Sequence, residues 1–390
     1  MKNTSDIIEY CQELYEDIDF TATRKWKEAD PARKVVGYMP VYVPRELMHA
    51  GGILSLGILG GGDNMEVIHG DAYYQSYICR IPRSTIELAV TKRLDFVDGM
   101  LFPSICDVIR NLSGMWKLMM PDVYVRYFDT PQNFTSGIGG DYYVNELREL
   151  KEGLEGIIGR EITDDQIRDS IAVYNENRRL VNAVYDFRAK EPWKAPSWEV
   201  YLLMRAGMVL PVEEHSQLMS DYLAAAVSEN KPMRDNCRII LQGSFCEQPP
   251  LNLIKSIELS GCYIVDDDYM LVTRWLLEDV PTDGDPLVNL SEAFIKHSGE
   301  TAAKYVPDAA EKGRFLIDAV RNKAAEGVIF AAPSFCDPAL LDRPMMAGAL
   351  GRAEIPYISF KYAENSGQMQ PIREQAGTFA DTIKLWSEAS

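Results

Sequence analysis

The chain has 390 residues, 46% apolar and 25% charged, an ordinary globular balance with length for two or three domains. Its 58 acidic residues outnumber 40 basic ones, giving a net charge of −18 and a pI of about 4.8. That surplus repels phosphate backbones and anionic bilayers, which removes nucleic acid and membrane surfaces from the expected partners.

Residues 1–30 read as a helical segment, with Ser5 the expected N-cap before Ile7, Ile8 and Leu14. Met1 to Glu16 is polar and acidic, without the apolar stretch of a secretory signal. The longest small and apolar run, Ala50 to Gly62, is too short to span a bilayer, so a cytoplasmic protein is expected. Lys34 to Val43 reads as a strand and Gly51 to Gly62 as a glycine-rich loop. Ala72 to Ala89 carries a helical apolar pattern around Cys79. Phe96 to Phe102 and Val123 to Phe128 read as two further strands.

Residues 141–235 are charged and helix-periodic, as in Val144 to Ile158 and Asp164 to Lys190. The strand signal returns at Arg238 to Gln242. A helix from Pro250 to Leu259, a strand at Tyr263 to Val265 and a long helix from Asp308 to Ala325 follow. Then come a strand at Val328 to Ala331, a helix from Pro338 to Leu350, a strand at Tyr357 to Phe360 and a final helix from about Gln370 to Leu385. Short apolar strands alternating with helices predict parallel sheets. The expected fold class is α/β: two doubly wound, Rossmann-like parallel-sheet domains with a helical N-terminus and a helical bridge. The expected boundaries are 1–30, 31–140, 141–235 and 236–390.

An internal repeat supports two related domains. Gly99-Met-Leu-Phe-Pro-Ser-Ile-Cys106-Asp107 matches Gly327-Val-Ile-Phe330 followed by Pro333-Ser-Phe-Cys336-Asp337. Both run from a buried strand into Pro-Ser-x-Cys-Asp, and Gly243-Ser-Phe-Cys246-Glu247 is a shorter echo. Ligands of open α/β sheets sit beyond the strands' carboxyl ends, where Cys106 and Cys336 both fall, one per domain. A helix N-terminus there favours the thiolate that binds metal. The alternative is a small buried thiol at a strand end.

The seven cysteines are odd in number and scattered, which argues against a disulfide framework in the cytosol. No CxxC occurs, so a ferredoxin-type domain or zinc ribbon is excluded on spacing. His49, His69, His215 and His297 form no HxxxH or HExxH pair. There is no P-loop and no Gly-x-Ser-x-Gly elbow. Gly60-Gly-Gly-Asp63 and Gly137-Ile-Gly-Gly-Asp141 lack the GxGxxG order and read as loops needing positive φ. Asp266-Asp-Asp268 is either a strand-end loop beside a helix start or a hard-metal site.

Several blocks together resemble the 2-hydroxyacyl-CoA dehydratase / benzoyl-CoA reductase family. They are Tyr42-x-Pro44-x-Glu46-Leu47-x-His49-Ala50-Gly51, Gln75-Ser-Tyr77-x-Cys79-x-x-x-Arg83-Ser84 and Phe102-Pro-Ser104-x-Cys106-Asp107-x-x-Arg110-Asn-Leu112. Ile257-Glu-Leu259 with Val265-Asp-Asp-Asp268, and Gly327-Val-Ile-Phe330 running to Phe335-Cys-Asp-Pro338, extend the match over residues 35 to 380. The C-terminal stretch, Glu364-Asn-Ser-Gly-Gln368 and Ile372-Arg-Glu-Gln-Ala-Gly-Thr-Phe379, is most similar to the smaller cluster-bearing subunit on the reductase side. The Thr-Arg frequent in dehydratase subunits is replaced here by Pro371-Ile372-Arg373.

The resemblance implies that Cys79, Cys106 and Cys336 each ligate one iron of a single [4Fe–4S] cluster, with a non-cysteine ligand, water or substrate on the fourth. Cys246 then lies beside the cluster at most, and Cys11, Cys237 and Cys262 are ordinary thiols. The implied activity is ATP-dependent, ferredoxin-driven reduction of the ring of benzoyl-CoA or a related aromatic acyl-CoA to a cyclic diene. The implied partners are a homologous second cluster-bearing subunit in a heterodimer, ATP-hydrolysing activator subunits and ferredoxin. Two alternatives stand: a 2-hydroxyacyl-CoA dehydratase subunit, and a non-catalytic structural or electron-relay subunit of the same complex. Glu46 and His49 either orient substrate and relay protons or serve as a helix-start Glu and a satisfied His. Arg80 and Arg83 either meet coenzyme A phosphates or cap the Cys79 helix.

Overall fold

Among the described residues, short runs of Val, Ile, Leu and Phe bounded by Gly, Pro and Asp build eight strands in two sheets. We describe a computed structural model of the chain over residues 3–62, 65–243, 249–297, 312–363 and 369–387. The first sheet holds β1 (Lys34–Tyr38), β2 (Ile53–Gly57), β3 (Gly99–Pro103) and β4 (Tyr124–Phe128), ordered β2-β1-β3-β4. The second holds β5 (Cys237–Gln242), β6 (Cys262–Asp267), β7 (Gly327–Pro333) and β8 (Tyr357–Tyr362), ordered β6-β5-β7-β8. Every pairing is parallel, so each strand must be followed by a crossover, here mostly helical. Both sheets share one strand order, as the repeat predicts.

Two helices, α1 (Thr4–Glu16) and α2 (Thr21–Glu28), precede the first sheet. α3 (Arg45–Ala50), α4 (Arg80–Val90) and α5 (Asp107–Met119) lie within it. α6 (Asp141–Ile158), α7 (Asp164–Lys190), α8 (Ser197–Ala206) and α9 (Val212–Ser228) form the bridge. The second sheet carries α10 (Leu251–Leu259), α11 (Leu271–Arg274), α12 (Pro286–His297), α13 (Arg314–Asn322), α14 (Asp337–Arg352) and α15 (Met369–Ser387).

Successive strand residues face opposite ways, and this places the core. Val36, Tyr38 and Leu101 of the first sheet, with Ile239, Leu241, Ile329 and Ala331 of the second, belong to one continuous apolar cluster shared with the bridging helices. The alternate residues Val35, Met100 and Phe102 pack outward under α4 and α5 with Leu88, Leu112 and Trp116. Ile240, Val328 and Phe330 pack outward under α13 and α14 with Leu316, Met346 and Leu350. Full burial of one such side chain contributes about 1.5–3 kcal/mol. The two sheets are therefore joined through a common inner layer, while each has its own outer one.

Several boundaries differ from the sequence reading. The N-terminal segment is two helices: Asn3, not Ser5, caps α1 by accepting from the Asp6 amide at 2.8 Å. The break falls where Phe20 takes a left-handed φ of 53° and the Asp17 carboxylate accepts from the Thr21 amide at 2.6 Å. The strand expected to reach Val43 stops at Tyr38, because Pro40 has no N–H and Val41 and Tyr42 turn to φ 70° and 62°. The stretch Gly51 to Gly62 is not all loop, since it contains β2, buried along its whole length. The helix around Cys79 starts only at Arg80. α12 was not anticipated, and the expected helix from Asp308 has its first turn outside the described residues. Among the described residues, no helix is long and apolar enough to cross a membrane.

Candidate functional site

The carboxyl ends of β1, β3 and β7 open onto one cavity of about 460 Å³. Pro40 follows β1, Cys106 follows β3 and Cys336 follows β7, and all three line it. In the order β2-β1-β3-β4 the chain reverses direction between β1 and β3, the crevice where doubly wound sheets bind ligands. Cys79 lines the same cavity. The structure thus brings together the three cysteines singled out from the sequence.

Each of the three stands at the same local position. Cys79 is the N-cap of α4, Cys106 of α5 and Cys336 of α14. Three helix N-termini therefore point their free amides and partial positive charge toward one space. The amides of Ile109 and Val108 act on the Cys106 sulfur and lower its pKa, but burial is the larger effect, and Cys336 and Asp107 add to it. The net direction for Cys106 is upward. The expected helix effect is present but outweighed, and a bound metal would reverse that balance by deprotonating the thiol outright.

The backbone around the cavity is strained. Val41 and Tyr42 follow Pro40 with positive φ, and Phe335, just before Cys336, has φ 67°. A β-branched or bulky residue in this region costs energy, and such strain clusters at functional sites. Tyr74 adds a second anomaly. Its hydroxyl is buried and, among the described residues, has no hydrogen-bond partner. Burial first, then the adjacent thiols of Cys79 and Cys106, push its pKa above the ordinary tyrosine value.

The loop that delivers Cys79 is tied down by its own helix. Glu87 of α4 is 3% exposed, and its carboxylate accepts from the amides of Ile68, His69 and Gly70 and from His69 Nδ1 at 2.6–2.9 Å. Gly70 must lie close, since a Cβ there would sit 2.0 Å from the Arg83 carbonyl oxygen. Arg83 pairs with Asp71 at 2.8 Å and reaches the Cys79 carbonyl at 3.4 Å, while Arg80 donates to the carbonyls of Gly62 and Met65. Both arginines bind the chain's own loop.

This collar has a pH dependence. Burial raises the Glu87 pKa, but the hydrogen bonds from His69 and the three amides outweigh it and leave it lowered. A lowered native pKa stabilises the fold above the unfolded value, near 4.5, and that stability is lost as pH falls through the native pKa. Glu87→Gln is expected to cost about 1–3 kcal/mol at pH 7. Urea denaturation at neutral and acid pH should show a smaller acid-induced loss in the variant than in the parent.

The remaining candidates lie elsewhere. Glu46 of α3 is buried and pairs with Arg178 of α7 at 2.5 Å. His49 lies between Ser170 Oγ and Glu213 Oε1, each at 2.9 Å. Neither lines the cavity. Asp266 pairs with Arg274 at 3.1 Å and Asp267 with Arg188 at 2.7 Å, while Asp268 accepts from Gln242 and the Gly243 amide. These contacts fit the strand-end reading. Cys11, Cys237 and Cys262 are fully buried free thiols, and Cys246 lies outside the described residues. Gly139 is needed for a close approach, not for positive φ: a Cβ would fall 1.6 Å from the Asn133 carbonyl oxygen. Gly60 and Gly62 do take positive φ.

Among the described residues, no three His, Cys, Asp or Glu side chains stand close enough to hold a single metal ion. A mononuclear tetrahedral site draws its sulfurs to within about 4 Å of one another. A polynuclear group takes one thiolate per metal atom and needs a wider cavity. Three soft donors around about 460 Å³ fit the second case in donor chemistry and in space.

Residues 40–383 match the family described as 2-hydroxyglutaryl-CoA dehydratase, D-component. A benzoyl-CoA reductase subunit from Thauera aromatica is 71% identical over 385 residues, covering 99% of this chain and all of that protein. The (R)-phenyllactyl-CoA dehydratase beta subunit of Clostridium sporogenes is 26% identical over 90% of this chain and 92% of its own length. The beta subunit of (R)-2-hydroxyglutaryl-CoA dehydratase from Acidaminococcus fermentans is 27% identical over 90% and 93%.

Proposed function

The chain belongs to the 2-hydroxyglutaryl-CoA dehydratase D-component family, and within it we propose that it is a subunit of a benzoyl-CoA reductase, an oxidoreductase that adds two electrons and two protons to the ring of an aromatic acyl-CoA. The observation that carries this reading is the contrast in identity: 71% over essentially the whole chain to a reductase subunit, against 26% and 27% to two dehydratase subunits.

In this reading Cys79, Cys106 and Cys336 hold one [4Fe–4S] cluster, each through the thiolate at the head of its helix. When bound, such a cluster supplies single electrons at low potential. The chain's own residues do the rest. The helix amides offset the negative charge of the thiolates. Ile81 and Ile109, both buried, line the cavity with apolar surface, which strengthens the electrostatic contacts beside them. Glu46 and His49 hold α3 against the bridging helices through Arg178 and Ser170.

We take residues 31–140 and 236–390 as two α/β domains that close on the site, with 1–30 and 141–235 as their helical supports. The chain works beside a homologous cluster-bearing subunit and receives electrons from ferredoxin through an ATP-hydrolysing pair. The six described cysteines are thiols, which suits the reducing cytosol.

The test is an anaerobic assay of the chain assembled with its partner subunits. Benzoyl-CoA with ATP and a low-potential reductant should give the cyclic diene, and a 2-hydroxyacyl-CoA should not lose water. Dehydration without ring reduction would overturn the proposal in favour of the dehydratase.

A further inference from the structure

We propose that Tyr74 donates a hydrogen bond from its hydroxyl to a sulfur of the cluster held by Cys79, Cys106 and Cys336, and thereby sets the cluster's reduction potential. The inference rests on the cluster reading above. Tyr74 stands five residues before Cys79, where the loop anchored by Glu87 turns toward α4. Its ring packs against the same outer core as Cys106; Tyr74 does not itself line the cavity, but the charges of the Cys79 and Cys106 thiols act on its hydroxyl. The hydroxyl is shut off from solvent, yet nothing in the described protein pairs with it. Among the described residues Tyr38, Tyr143 and Tyr269 also carry buried hydroxyls without a partner, but only that of Tyr74 is acted on by the ligand thiols, and there a sulfur would be the missing acceptor.

Thiolate and sulfide sulfurs offer lone pairs and no protons, so the hydroxyl can only donate to them. Donation favours the more negative, reduced state of a cluster and raises its potential. An orphaned hydroxyl also burdens the metal-free fold, a cost that the loaded protein escapes.

The experiment compares the full-length chain, assembled with its paired subunit and purified anaerobically, with its Tyr74→Phe variant. Iron content should be the same in both. The potential of this chain's cluster should move to more negative values in the variant. An exchangeable-proton coupling at the reduced cluster, seen by electron–nuclear double resonance and removed in D₂O, should vanish in it. The metal-free variant should melt at a higher temperature than the metal-free parent. Equal potentials and equal couplings in two iron-loaded proteins would overturn the role of Tyr74 and leave the cluster reading intact. A parent chain without iron would overturn the cluster reading, and this inference with it. If the variant fails to load iron, the parent decides alone: no exchangeable coupling there refutes the donor.

Discussion

Serine in place of Cys106 or Cys336 is expected to strip the iron and acid-labile sulfide from the anaerobically purified chain. Ring reduction should then fall by more than the roughly 10–100-fold that even the supporting residues of metal sites cost. The reason is local. Each thiol heads a helix at the carboxyl end of a strand and faces one shared cavity. A serine hydroxyl keeps the cap position but gives up the soft, readily ionised donor. Cys79→Ser should behave alike, because it holds the same position on α4. Cys262→Ser is the control: its sulfur is fully buried on β6 and does not line the cavity. It should leave the iron content unchanged. Full iron in Cys106→Ser would contradict the site.

The largest expected loss of stability is at Arg188. This residue of α7 is fully buried and pairs with Asp267 at 2.7 Å, a carboxylate equally shut off from solvent. Its guanidinium also lies 3.8 Å from Asp266 and over the Tyr185 ring. Arg188→Ala leaves Asp267 buried without its ion-pair partner, with hydrogen bonds from the Tyr185 hydroxyl and the Met270 amide remaining, at a cost of about 3–5 kcal/mol. Urea denaturation followed by circular dichroism should report it. Replacing both partners, Arg188→Met with Asp267→Leu, should recover most of the loss, because a buried pair exchanged for apolar groups is often close to neutral. The pair lies where the bridging helix meets the end of β6, so its rupture should loosen the second sheet from the bridge.

Much of this architecture was legible in the sequence, and what was not has physical reasons. The repeat of Pro-Ser-x-Cys-Asp located Cys106 and Cys336, since proline and the acidic residue mark where a buried strand gives way to a helix start. The long helix Asp164–Lys190 was read to its ends, because Thr163 and Gln166 form a capping box and the pattern keeps its period. Cys79 was placed inside a helix because Ala72 to Tyr77 continues an apolar rhythm. In the structure Ala72 ends a short 3₁₀ turn, Gly70–Ala72, whose lead-in from Ile68 is held by Glu87, and no helix begins before Arg80; periodicity does not reveal that tie. β2 leaves no alternation in the sequence, because its five residues lie among glycines and are buried on both faces. Tyr74 carries no sequence signal among 20 tyrosines; what distinguishes it is an unsatisfied, buried oxygen on which the Cys79 and Cys106 thiols act.

The shared strand order of the two sheets makes the chain an imperfect two-fold object. In its first half the helix after β2 begins with Cys79, and the helix after β3 begins with Cys106. In its second half Cys336 answers Cys106, but nothing answers Cys79, for no cysteine occurs between Cys262 and Cys336. A faithful copy would close on its guest from both sides alike. On the cluster reading, this one grips with two fingers from one hand and one from the other, so the symmetry is broken at one corner. A symmetric clamp has no front, but an asymmetric one does. On the cluster reading, the missing finger gives the site a direction: one corner is left for a partner that the chain itself does not supply.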